Sequence, residues 1–155
     1  MRSLKAPVFA VLACGFISLI ISPASAAVLS VGASNQPYGA WLCADVRNGS
    51  SALHTPIQGF DCTAGLNQQF EFNGLTIYAL GGLTCVDVTG AGTANGTPVQ
   101  SYTCNGGVSQ QWYYYKGEII NPHSGKCLDA GNMANATQLV INECDGAISQ
   151  NWQIK

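Results

Sequence analysis

The chain has 155 residues, of which only 9% are charged, with six Lys and Arg against eight Asp and Glu. A net charge of −2 at this low density gives no basic footprint, which argues against nucleic acid or an anionic membrane surface as partner. Eighteen glycines and seven cysteines point instead to a loop-rich, exported fold.

The first predicted element is a targeting segment. Arg2 and Lys5 precede an apolar run from Ala6 to Ile21, and Ser22-Pro23-Ala24-Ser25-Ala26 ends in the Ala-x-Ala pattern that signal peptidase cuts. The run falls short of the ~20 apolar residues that a membrane-spanning helix needs. Residues 1–26 therefore read as a removed signal peptide, and residues 27–155 as one secreted domain without membrane insertion. Removing Cys14 with the signal leaves six cysteines, an even number in an oxidising compartment. No Cys-x-x-Cys occurs and no His lies near two cysteines at ligand spacing, so neither a metal nor another cofactor is expected.

The rest is one unit written three times. Trp41-Leu-Cys-Ala-Asp-Val46 returns as Leu83-Thr-Cys-Val-Asp-Val88 and Gly125-Lys-Cys-Leu-Asp-Ala130, with Cys43, Cys85 and Cys127 spaced by 42 residues. A second cysteine follows 19, 19 and 17 residues later, at Cys62, Cys104 and Cys144. Gln68-Gln-Phe70, Gln110-Gln-Trp112 and Gln150-Asn-Trp152 then close the units. Six cysteines allow fifteen pairings. Repeat symmetry selects Cys43–Cys62, Cys85–Cys104 and Cys127–Cys144, each worth about 3 kcal/mol in the chain-entropy account.

Within the units the apolar pieces are short, β-branched or aromatic, and broken by Gly, Asn and Pro. Cys85 to Val88, Val99 to Cys104, Gln111 to Tyr115 and Glu118 to Ile120 read as strands, and no helical period is sustained beyond the signal. Four strands per unit give an all-β chain of about twelve. One ~42-residue unit cannot bury its apolar face alone, so the three copies are expected to close around a shared axis as a β-trefoil. Phe70, Trp112 and Trp152 are its expected core rings. Tyr113-Tyr114-Tyr115 should alternate between core and rim, and Gly90 to Gly96 is a loop.

Cys-x-Asp, a second cysteine and Gln-x-Trp, three times in register, resemble the ricin B-type lectin family, including the carbohydrate-binding modules of some glycosidases. The similarity covers essentially all of residues 27–155. It implies a β-trefoil with up to three sugar sites, one per repeat, commonly for galactose-type residues. A saccharide offers hydroxyls along an edge and C–H groups on a face, so a binder needs a carboxylate acceptor, an amide and an aromatic platform.

In the first repeat the resemblance gives Asp45 two hydroxyls to accept from, makes Phe60 the platform and assigns Asn67 to the same edge. Gln68 would hold Asp45, and Gln58 would help line the pocket. In the second the matching residues are Asp87, Gln100, Tyr102 and Gln110, with Ser109 where the amide should stand. In the third Asp129 survives, but Val140, Asn142 and Ser149 replace the glutamine, the ring and the amide. That repeat is expected to be structural, with Asp129 solvated or capping a turn.

Catalysis has no support in the residues: there is no nucleophile motif, and one Asp per repeat leaves the carboxylates too far apart for glycoside hydrolysis. His54, between Asp45 and Gln58, reads as a solvated loop residue or a contact at the rim of the first site. The expected function is a secreted, calcium-free lectin for galactose-containing or related glycans. The rival is a secreted β-trefoil protease inhibitor or host-protein binder that has lost sugar binding.

Overall fold

The punctuated β-branched runs do form strands, and no α-helix interrupts them among the described residues. A computed structural model describes residues 26–31 and 41–155. The expected signal peptide, with Cys14 inside it, lies outside the described residues except for Ala26.

The first repeat contributes β1 (Ala27–Val31), β2 (Leu42–Val46), β3 (Thr55–Asp61) and β4 (Gln69–Asn73). The second contributes β5 (Thr76–Ala79), β6 (Thr84–Val88), β7 (Thr97–Tyr102) and β8 (Tyr113–Tyr115). The third contributes β9 (Glu118–Asn121), β10 (Lys126–Asp129), β11 (Thr137–Gln138), β12 (Val140–Asn142) and β13 (Trp152–Ile154). Among the described residues, thirteen strands replace the expected twelve because the third strand of the last repeat is split at Leu139. Strand β7 begins and ends two residues earlier than the sequence suggested. Strand β8 starts at Tyr113 because Gln111 makes only an isolated bridge to Thr76.

All the pairings are antiparallel. Strand β1 pairs with β2, β4 and β13, β4 with β5, and β8 with β9. The backbone bonds Trp112 N–H to Leu75 O at 2.7 Å and Trp152 N–H to Gly117 O at 2.6 Å tie the later repeats into the same wall. The hairpins β2–β3, β6–β7 and β10–β12 meet one another through β3–β7, β7–β12 and β11–β3, which closes a three-fold cap. Ile57, Val99 and Leu139 are buried at its centre. Gln138 caps them: its amide nitrogen lies 2.9, 2.7 and 2.9 Å from the Ile57, Val99 and Leu139 carbonyl oxygens. The other two repeats have Pro56 and Pro98 at that position. The chain is therefore an all-β trefoil of three repeats.

Phe70, Trp112 and Trp152 are 1%, 1% and 0% exposed, the core rings that the repeats called for. The two indole N–H groups donate to the Val86 and Leu128 carbonyls at 2.9 and 2.8 Å, so neither ring buries an unpaired donor. The tyrosine run departs from expectation, since Tyr113, Tyr114 and Tyr115 are all exposed. Strand β8 pairs with β9 along one edge, and neither of its faces is covered. Cys43–Cys62, Cys85–Cys104 and Cys127–Cys144 are bonded as repeat symmetry requires, and each closes the base of one hairpin.

Candidate functional site

Strand alternation sends Leu42, Ala44 and Val46 into the core and turns Cys43 and Asp45 to the other face. The register then sets Asp45 opposite Gln58 and Cys43 opposite Phe60, so carboxylate, amide and ring share one face of the hairpin above its disulfide. The second hairpin repeats this with Asp87 opposite Gln100 and Cys85 opposite Tyr102. In the third, Asp129 faces Val140 and Cys127 faces Asn142, the substitutions that the sequence predicted. A short 3-10 turn after each hairpin, at Leu66–Gln68, Val108–Gln110 and Ile148–Gln150, carries the last residues of each constellation back to the carboxylate.

Asp45 Oδ1 accepts from Gln58 Nε2 at 3.0 Å, and Oδ2 accepts from Asn67 Nδ2 at 2.6 Å and Gln68 Nε2 at 2.9 Å. Gln68 is wholly buried; it also donates to Asp61 O at 2.9 Å and accepts from Thr63 N–H at 2.7 Å, which makes it a positioning residue. Asp87 is held alike, by Gln100 at 2.9 Å, the Ser109 hydroxyl at 2.8 Å and Gln110 at 3.1 Å. A carboxylate has about four acceptor positions, so three protein donors leave roughly one open in each case. That is one fewer than the two hydroxyls expected at Asp45. The half-buried Phe60 and Tyr102 lie on the same hairpin faces as these carboxylates, at the next cross-strand pair on that face. A cleft of about 300 Å³ opens at the second, lined by Asp87, Gln100, Tyr102, Ser109 and His54.

Two participants escaped the sequence. Arg47 Nε donates to Gln58 Oε1 at 2.8 Å, so Gln58 is spent between Arg47 and Asp45. His54 stands at the second site instead of the first, with Nδ1 3.1 Å from Gln100 Oε1. The available signal for Arg47 was its place two residues after Asp45 in a chain with few basic groups; nothing local marked His54.

Asp129 is held from within its own repeat, by one backbone and two side-chain donors. Gly131 N–H reaches Oδ1 at 2.6 Å, and Asn142 Nδ2 and Gln150 Nε2 reach Oδ2 at 3.0 and 2.9 Å. Burial raises its pKa, but the bonds from Gln150, Asn142, the Gly131 N–H and the Ser149 hydroxyl outweigh that and hold it below the ordinary carboxylate value. It caps a turn as expected but is not solvated, because Asn142 folds onto it. Among the described residues, the grouping with metal-ligating atoms close together is Glu118 with Cys127 and Cys144, whose sulfurs are spent in a disulfide.

Comparison with known proteins places the fold. The sequence matches the model of the ricin-type beta-trefoil lectin domain over residues 23–152. A designed three-fold symmetric protein, ThreeFoil, superposes with a TM-score of 0.72 at 25% identity, covering 83% of this chain and 96% of that one. The agglutinin of Abrus precatorius gives 0.69 at 26% identity over 88% of this chain, which spans about half (51%) of the agglutinin chain. A Momordica charantia protein solved with α-methyl-D-galactoside gives 0.68 at 23% identity, over 84% of this chain and 47% of its own. No curated protein sequence matches this one.

Proposed function

The chain belongs to the ricin-type β-trefoil lectin domain family, a family of carbohydrate-binding domains, and from that premise we propose that it is a secreted, non-catalytic lectin with two shallow sites for galactose-type residues. The observation that carries the reading is the pair of buried carboxylates, Asp45 and Asp87, each aimed beside an aromatic ring with one acceptor position to spare. Asp45 takes one hydroxyl and Asn67 its neighbour; Asp87 and Ser109 divide the work in the same way. Phe60 and Tyr102 receive the C–H face of the sugar, and Gln58, Gln68, Gln100 and Gln110 keep the carboxylates in place. A galactose-type ring suits this arrangement because its axial hydroxyl leaves a continuous C–H patch on the opposite face. The three disulfides fit an oxidising, extracellular setting. Open sites of this kind bind weakly one at a time, and two on one rigid body gain by avidity on multivalent glycans.

A glycan array read with the wild type, Asp45→Ala, Asp87→Ala and the double variant tests the proposal. Galactose-terminated glycans should be retained by the wild type, progressively weakened in the single variants and lost in the double. A blank array with correctly folded wild type would sink the lectin reading; retention of other sugars alone would sink its galactose part.

A further inference from the structure

The loop before β3 leans away from its own site. His54, its last residue, crosses the repeat boundary: Nδ1 lies 3.1 Å from Gln100 Oε1, and the ring sits 4.9 Å from that of Tyr102 at a 51° tilt. The direction of the hydrogen bonds follows from the ionised carboxylate at the far end. Asp87 can only accept, so Gln100 must present its NH2 to Asp87 Oδ1 and its carbonyl oxygen to His54. Nδ1 therefore carries a proton, and Nε2 is the ring's remaining polar atom at the mouth of the cleft that His54 lines.

Nothing in the fold asks for histidine here. Position 54 has φ +63°, and its equivalents in the other repeats, Gly96 and Ala136, have φ +79° and +65°. Glycine adopts this left-handed conformation freely, whereas a side chain costs about 1 kcal/mol or more. In every repeat this loop packs on the next hairpin: Gly96 N–H donates to Asn142 Oδ1 at 2.9 Å and Ala136 N–H to Gly59 O at 2.8 Å. Each sugar position thus receives a rim residue from the preceding repeat, and at the second site that residue brings a ring and two nitrogens. The first site reaches the same polarity by other means, through Arg47 on Gln58.

We propose that His54 is a recognition residue of the second site, supplied by the first repeat, which fixes Gln100, braces Tyr102 and offers Nε2 to a hydroxyl of the saccharide held by Asp87. The proposal rests on the lectin reading. With Nδ1 bonded to Gln100, Nε2 is the ring atom left to bond a hydroxyl of the ligand. Tyr102 stands against the ring and Asp87 one amide away, and Gly90, Ala91, Asn105 and Ser109 line the other walls.

The test uses Asp45→Ala protein, in which the second site alone remains, titrated with methyl α-D-galactoside. Adding His54→Ala should weaken binding about tenfold, the size of one hydrogen bond. His54→Phe keeps a ring against Tyr102 and should not rescue that loss. In 15N spectra the Nε2 resonance of His54 should move on adding the galactoside. Thermal midpoints confirm folding of each variant. Affinity within twofold of the Asp45→Ala parent in His54→Ala, or full recovery in His54→Phe, would overturn the proposal while leaving the lectin intact. Failure of the Asp45→Ala protein to bind while wild type binds would overturn the proposal alone; failure of both would overturn it together with the galactose-type lectin reading.

Discussion

Asp45 and Asp87 in the first two repeats and Asp129 in the third occupy one register of one hairpin, and exposure does not separate them: they are 3%, 4% and 6% exposed. What separates them is which groups supply the donors. Three reach each carboxylate: Gln58, Asn67 and Gln68 at Asp45, Gln100, Ser109 and Gln110 at Asp87, and Gly131 N–H, Asn142 and Gln150 at Asp129. The residue that makes the difference stands where the other repeats have a ring. Asn142 is short enough to fold inward onto the carboxylate, whereas Phe60 has no donor and Tyr102 makes no bond to Asp87. Under the proposed reading, a buried carboxylate serves a ligand where a ring, and not a donor that folds onto it, occupies the neighbouring position of the hairpin.

The strongest way to break this contrast is to remove the carboxylates. Because hydrogen bonds to a charged group contribute about 1.5–3 kcal/mol each, Asp45→Ala and Asp87→Ala should each silence one site, and together they should take galactoside binding below detection by calorimetry. Asp129→Ala should leave both sites occupied. Next in size is the third disulfide: Cys127→Ser with Cys144→Ser opens the 17-residue span and should cost about 3 kcal/mol in chemical denaturation. Glycan affinity should persist, because both proposed sugar sites lie in the other two repeats. A smaller and constructive change is Val140→Gln with Asn142→Tyr, which copies the second hairpin while Ser149 already matches Ser109. Calorimetric stoichiometry should rise from two towards three; an unchanged count would mean that the ring and glutamine are not what the third repeat lacks.

The repeats were legible in the sequence because a three-fold core demands equal rings at equal intervals and an equal disulfide in each copy. The loss of the third platform was legible for a narrower reason. The third hairpin loop is two residues shorter, with 11 residues from Asp129 to Val140 against 13 from Asp45 to Gln58, so only counting back from Cys144 keeps register. What stayed hidden depends on contacts between repeats. No local pattern could send His54 to Gln100, 46 residues away, and period-two alternation misplaced the tyrosine run because β8 has no covering layer.

The finest test of the contrast is acid. Asp129 has its pKa lowered from an ordinary value of 3.8, so the folded state prefers the ionised form more than the unfolded chain does. Its contribution to stability is complete above about pH 4 and disappears as pH falls through the lower folded value. In Asp129→Asn the new amide NH2 faces donors that had met oxygen, so the variant should melt lower than wild type at pH 7. The gap should then narrow below pH 4 as the wild-type carboxylate is protonated. Glu143, held low by its hydrogen bond and charge pairing with Lys126 at 2.9 Å, titrates in the same direction, but its exposed position makes it the lesser part. Glu143→Gln supplies the correction, and thermal midpoints from pH 7 to 2 read both. A gap between Asp129→Asn and wild type that stays constant across that range would mean that the ring of donors around Asp129 does not favour its charge. The closed third repeat would then need another explanation.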